Sequence, residues 1–244
     1  MDVHDMSRAP PEYLEVVWIA DVCKLVMAVG WLSNYIGMIT KSIREQTYSM
    51  ALMPLCCNFA WEFTYFFVYP YKVPMERNIH TLAFLLNCGV MYTAVRYGAR
   101  EWGHAPLVQR NLPLIFVVCI ACWVSAHVAF AEQYGPSLAQ AVSGFACQIL
   151  LSAGGTCQLL CRGHSRGASY KLWLSRFMGS FALILPNMLR YRYWREDHQY
   201  IGSPLYTWFI GMFLFLDGSY GFVLWYVRRH EREQALAAAR PKTQ

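Results

Sequence analysis

The sequence predicts an all-α fold: one integral membrane bundle of seven transmembrane helices, forming a single domain over residues 1–244. Three observations predict it. Apolar runs of about 20 residues recur along the chain, long enough at ~1.5 Å per residue to span a ~30 Å hydrocarbon core. The composition is 56% hydrophobic and 15% charged, whereas a soluble domain carries about 25% charged residues. The connections are short, so neighbouring helices run antiparallel and no loop has room for a separate domain.

The first span covers about 14–39 and carries Asp21 and Lys24. These lie three residues apart, on one helix face, where they satisfy one another. The preceding MDVHDMSRAPPEY lacks a basic n-region, and no cleavage site follows, so this span reads as an uncleaved helix. The second span, 48–70, contains Glu62 and is interrupted by Pro54. The third is 78–98. The fourth, 112–133, holds Trp123 and His127. The fifth, 138–161, is diluted by Ser, Gly and Gln. The sixth, 170–190, carries Arg176 and is interrupted by Pro186. The seventh, 204–228, contains Asp217. Gly154, Gly155, Gly211, Gly218 and Gly221 read as positions where small residues let helices approach closely.

Lys and Arg in the short loops set the orientation. The side with the N-terminus holds 6 and the opposite side 13. The N-terminus is therefore expected to be lumenal and the C-terminus cytosolic, in an endoplasmic reticulum membrane. The net charge of +6 then reflects orientation and contact with anionic head groups. The basic residues are scattered over short loops, which argues against nucleic-acid binding. Nearly all nine cysteines fall inside apolar runs. They read as small packing groups. Cys119 and Cys122 have redox or zinc spacing, but they lie in mid-helix with no second ligand pair, so no metal is expected there.

Glu62 and Asp217 are the functional signal. Glu62 sits in YSMALMPLCCNFAWEFTYFFVYP and Asp217 in PLYTWFIGMFLFLDGSYGFVLWYV. An ionised carboxylate at the bilayer centre costs roughly 2.5–3.5 kcal/mol on insertion scales, so such acids face a bundle interior and mark functional sites. Burial favours the proton-bearing form, which is what a general acid requires. On ideal helices Glu62 lies ~21 Å from the cytosolic end of its span and Asp217 ~20 Å from the lumenal end of its own. Both are then placed to line one chamber from opposing walls. The competing reading is a structural salt bridge, with Arg176, Lys24 or His127 as partner. Aromatic residues flank both acids, and aromatic faces stabilise cations. Trp61, Tyr65, Trp123, His127 and Tyr220 are candidates for the pocket wall. Asn34 either bonds across helices or touches a polar part of a substrate.

Several chemistries are missing from the chain. There is no DDxxD-like cluster, DxDD motif, GxGxxG, P-loop, GxSxG or HExxH. Against this background, the run NYIGMITKSIREQTYSMALMPLCCNFAWEFTY from Asn34 to Tyr65, and LDGSYG from Leu216 to Gly221, resemble the pyripyropene-type membrane-integral terpene cyclases of fungal meroterpenoid biosynthesis. Length and seven-span layout match as well. The resemblance implies a cyclase that acts on a prenylated, farnesyl-type polyketide or aromatic substrate with a terminal epoxide, and that needs no metal or organic cofactor. It implies that the two essential acids are Glu62 and Asp217. The partners expected are a hydrophobic epoxyprenyl small molecule and the lipid bilayer, and no nucleic acid. The alternatives are a proton-coupled transporter or heptahelical receptor, since intramembrane acids suit a proton relay, and a non-catalytic scaffold. A retinal pigment is disfavoured by the lack of a lysine in the middle of the last span, and a carrier by the lack of a repeat.

Overall fold

The computed structural model describes residues 6–239, and within them every regular element is helical. In chain order these are α1 (Pro11–Glu45), α2 (Leu52–Phe63), α3 (Pro74–Tyr97), α4 (Pro106–Tyr134), α5 (Pro136–Arg162), α6 (Tyr170–Phe181), α7 (Ile184–Tyr193) and α8 (Pro204–Ala239). Pro11, Pro74, Pro106, Pro136 and Pro204 each begin a helix. The first N–H of a helix has no internal partner, so proline costs nothing there, and its fixed φ favours entry. α1 ends where Gln46 turns left-handed at φ 54°, a conformation that stops the helical ladder.

Six helical stretches are long and apolar enough to cross a membrane, with α6 and α7 together forming one of them. The remaining expected span is shorter than 48–70. Residues 47–51 form a bend, α2 begins only at Leu52, and a π-helical turn, Thr64–Val68, closes it. Glu62 therefore lies ten residues into its helix rather than fourteen into its span. The sixth span is broken in two. The Pro186 ring, having no N–H, cannot accommodate the carbonyl four residues earlier, and the helix lapses into a turn at Ala182–Leu183.

The residue distribution is that of a protein in lipid. Trp18, Leu25, Val29, Leu114, Val117, Phe215 and Phe222 are exposed, while Asn34, Asn58, Glu62, Asn87, His127 and Asp217 are buried. Lipid solvates the apolar surface, and polar side chains must find partners inside. α2 packs against α3, α4 and α5; α1 packs against α3, α6 and α7; and α5 packs on both α2 and α8. α1 and α6 meet through glycines: a Cβ on Gly30 would come 2.8 Å from the Gly179 Cα. Of the other glycines expected at helix contacts, Gly154, Gly155 and Gly221 face Pro54, Tyr220 and Trp173. Gly211 and Gly218 do not, since a Cβ at either would meet no atom within 4 Å.

Candidate active site

A cavity of about 280 Å³ opens between the helices, close to the lower end of the range for small-molecule sites. Most of its wall is apolar, including Met27, Trp31, Leu151, Ile210 and Phe213. Two polar features interrupt that wall, and each is built by several helices.

The first is Glu62, whose side chain lines the cavity although the residue is only 3% exposed. The Tyr35 hydroxyl donates to its Oε1 at 2.5 Å. Asn87 Nδ2 donates to Oε2 at 2.8 Å. Asn58 Nδ2 donates to the Tyr35 oxygen at 2.8 Å and to Glu62 Oε1 at 3.4 Å. Thus α1, α2 and α3 each contribute to holding one carboxyl. All of these donors are neutral, and Glu62 forms no ion pair among the described residues. The following π turn is a feature often found at functional sites. His80 Nε2 lies 2.9 Å from the Glu62 carbonyl oxygen, positioned to donate to it.

The second feature is a charged pole, where Lys24, Glu76 and Arg190 line the cavity together. Lys24 Nζ lies 2.9 Å from Glu76 Oε1 and 3.1 Å from Asp21 Oδ1, and Arg190 lies 4.0 Å from Glu76. The Asp21–Lys24 pair expected from the sequence therefore forms, with Glu76 as an additional partner. Lys24 and Tyr35 are eleven residues apart on α1, as are Glu76 and Asn87 on α3. Both helices thus place the charged pole ~16 Å along the axis from the groups that hold Glu62. The cavity has a charged end and an acid end, with apolar walls between.

Asp217 lies elsewhere. It is fully buried and ion-paired with Arg176, and the Arg176 guanidinium in turn lies over the Tyr220 ring, 5.1 Å from its centroid. Trp173 Nε1 donates to the Asp217 carbonyl at 2.7 Å. Asp217 is absent from the cavity lining. Its contact with the chamber passes through Gln148, which lines the cavity and donates to Asp217 Oδ2 at 3.4 Å. The expectation that both acids line one chamber therefore holds for Glu62 alone, because α5 packs between α2 and α8.

The expected wall residues divide in the same way. Trp61 lines the cavity, and its indole N–H donates to the Gln140 carbonyl at 3.2 Å. Tyr65 is fully buried, with its ring 5.4 Å from Trp61, and it is not in the lining. Asn34 donates to the Leu172 carbonyl at 2.6 Å and to Ser175 Oγ at 3.2 Å, tying α1 to α6, which is the first of its two expected roles. Trp123 turns its N–H to Met53 Sδ at 3.2 Å. His127 is buried beside Cys57 and Cys147. Tyr220 lines a separate void of about 30 Å³ with Arg176. These five side chains serve helix contacts rather than the cavity wall, since spacing along one helix does not say which neighbour each face meets.

Sequence reasoning missed Tyr35, Asn58 and Asn87 as the cradle of Glu62. Two signals were present: Asn58 stands four residues before Glu62, on the same helix face, and Asn87 is isolated in the apolar run FLLNCGV. It also missed the charged pole, since Glu76 falls between the second and third expected spans and Arg190 at the last residue of the sixth.

The chain matches the model of the Pyr4-like transmembrane terpene cyclases over residues 4–230. It is 93% identical to terpene cyclase dpasB of Apiospora sacchari over the full length of both chains. It is 63% identical to terpene cyclase dpfgB of Gibberella zeae, over 99% of this chain and all of that one. It is 49% identical to terpene cyclase paxB of Penicillium paxilli, over 97% and 98% of the two chains. No solved structure matches. The transporter, receptor and scaffold readings give way to these relationships, and the chain belongs to the Pyr4-like transmembrane terpene cyclases, a family of integral membrane enzymes.

Proposed function

We propose that this cyclase protonates the terminal epoxide of a prenylated, farnesyl-type polyketide or aromatic substrate and starts a carbocation polycyclisation of fungal meroterpenoid biosynthesis. The observation that carries this reading is the state of Glu62: a carboxyl facing a largely apolar chamber, held by neutral donors and free of any ion pair among the described residues. Such an acid keeps a proton to give.

Glu62 transfers its proton to the epoxide oxygen. The C–O bond to the more substituted carbon breaks, leaving a hydroxyl on the neighbouring carbon and a cation. Internal alkenes attack in sequence, each forming a C–C bond and passing the charge onward. Loss of a proton, or capture by an oxygen of the substrate, ends the cascade. Substrate and product are isomers, so the reaction consumes no co-reactant. Trp31, Tyr35, Trp61 and Phe213 line the chamber, and an aromatic face within about 6 Å stabilises a cation by ~0.5–2 kcal/mol.

The charged pole supports a direction for the substrate. Lys24 and Arg190, which share Glu76, suit the oxygens of a polyketide or aromatic head group, and the prenyl tail then runs along apolar wall towards Glu62. Asp217 acts in this reading as a positioning residue: it fixes Arg176 and, through Gln148, the chamber wall. The test is incubation of an epoxyprenyl arene with microsomes carrying wild-type or Glu62→Gln protein. The amide is nearly isosteric and has no acidic proton. Removing a general acid costs about 10²–10⁴-fold in rate, and a folded Glu62→Gln variant that cyclises at the wild-type rate refutes the assignment.

A further inference from the structure

Where Cys147 forms part of the cavity wall, three side chains from three helices converge without any part in the chemistry proposed above. Cys57 on α2, His127 on α4 and Cys147 on α5 are 3%, 4% and 3% exposed. The two sulfurs are 3.4 Å apart, Cys57 Sγ lies 4.0 Å from His127 Nε2, and the three ligand atoms all fall within 4.8 Å of one another. The residues come from distant parts of the chain, so neither Cys-x-x-Cys spacing nor any other short motif announces them.

We propose that Cys57, His127 and Cys147 form a buried binding site for a divalent thiophilic cation, zinc in the first instance. A point in the plane of these three atoms and equidistant from them lies no more than ~2.4 Å from each, against ~2.3 Å for Zn–S and ~2.0–2.1 Å for Zn–N in known zinc sites. The ligand set is one that zinc uses when a fourth position stays open. Charge also balances. Each thiol releases its proton to solvent as it binds, and two thiolates with a neutral imidazole bring a divalent ion to zero net charge, the state a low-dielectric interior tolerates. Access is provided by Cys147, which lines the main cavity. A bound ion joins α2, α4 and α5 at one point, five residues from Glu62, and so fixes the short helix that carries the acid.

The test uses the whole protein, purified in detergent without chelator. Elemental analysis is expected to find about one zinc per chain. Stripping with a chelator and adding zinc back restores the same stoichiometry. Cobalt(II) put in place of zinc gives sulfur-to-cobalt charge-transfer absorption, and X-ray absorption at the zinc edge shows sulfur and nitrogen ligands. The Cys57→Ser and Cys147→Ser variants lose at least nine-tenths of the bound metal while keeping the wild-type elution volume. The proposal is overturned if wild-type protein binds no more zinc than a Cys57→Ser/His127→Ala/Cys147→Ser variant, or if the zinc edge shows oxygen and nitrogen ligands only. It is equally overturned if mass spectrometry of the unreduced protein finds Cys57 and Cys147 joined as a disulfide.

Discussion

A carboxyl in an apolar chamber serves as an acid only if nothing beside it takes its charge, and on that criterion the two intramembrane acids part company. Glu62 accepts from a phenol and two amides, whereas Asp217 faces a guanidinium. The difference predicts two kinds of variant. Glu62→Gln is expected to lose product with little change in thermal midpoint. Asp217→Asn leaves Arg176 buried with its charge uncompensated, a change that costs ~3–5 kcal/mol for a buried pair, so the thermal midpoint falls together with activity. A scan of both purified variants checks this, and equal midpoints for the two would contradict it. Tyr35→Phe removes the 2.5 Å hydrogen bond to Glu62. The bond strengthens as Glu62 gives up its proton and becomes charged, and hydrogen bonds to charged groups are worth ~1.5–3 kcal/mol, so the turnover rate is expected to fall about ten- to a hundredfold while the bundle stays folded. Both acids were conspicuous in the sequence because each interrupts an apolar run. Which of them was paired was not legible, because Arg176 lies 41 residues from Asp217 on another helix.

At the scale of elements, proline and glycine decide where helices break and how closely they pack. The long apolar runs made the spans legible, but the starts expected near 14, 78, 112 and 138 fall after Pro11, Pro74, Pro106 and Pro136, where these helices begin, and of the proline starts only Pro204 coincides. The short α2 was not legible, because Tyr48, Met50 and Ala51 in the bend at residues 47–51 run on into the apolar helix without a Gly or Pro to mark the boundary. The break between α6 and α7 follows from Pro186, which lines the cavity with Leu183 and Ile184. Proline inside a helix costs ~3 kcal/mol or more, so Pro186→Ala favours one continuous helix and rotates Asn187 and Arg190 relative to the chamber. Chromatography of the products is expected to show a changed ratio of cyclised isomers, and an unchanged ratio would mean that the break does not shape the cavity. Where Gly30 meets Gly179, adding bulk separates α1 from α6. Gly179→Leu is expected to destabilise by ~1–3 kcal/mol, as overpacking does, read as a lower denaturation midpoint in detergent.

Across the whole molecule, an apolar belt faces lipid while polar groups gather at two ends of one internal chamber. In the proposed function one end takes the head group and the other the epoxide. Lys24→Met is expected to raise KM about tenfold for a substrate with an oxygenated ring, with kcat nearly unchanged, because binding shared by ground and transition states is what is lost. The same variant handles a simple epoxyprenyl chain as the wild type does, and a KM rise of equal size on both substrates would contradict the two-ended arrangement. The chamber itself lay beyond the sequence, since Lys24, Glu76 and Arg190 come from three helices whose contacts no local pattern records. The most direct test of the central claim is single-turnover conversion of an epoxyprenyl arene by purified Glu62→Gln protein, shown by its thermal midpoint to be folded. A product of unchanged mass is expected to form about 10²–10⁴ times more slowly than with the wild type. Conversion at the wild-type rate would contradict it.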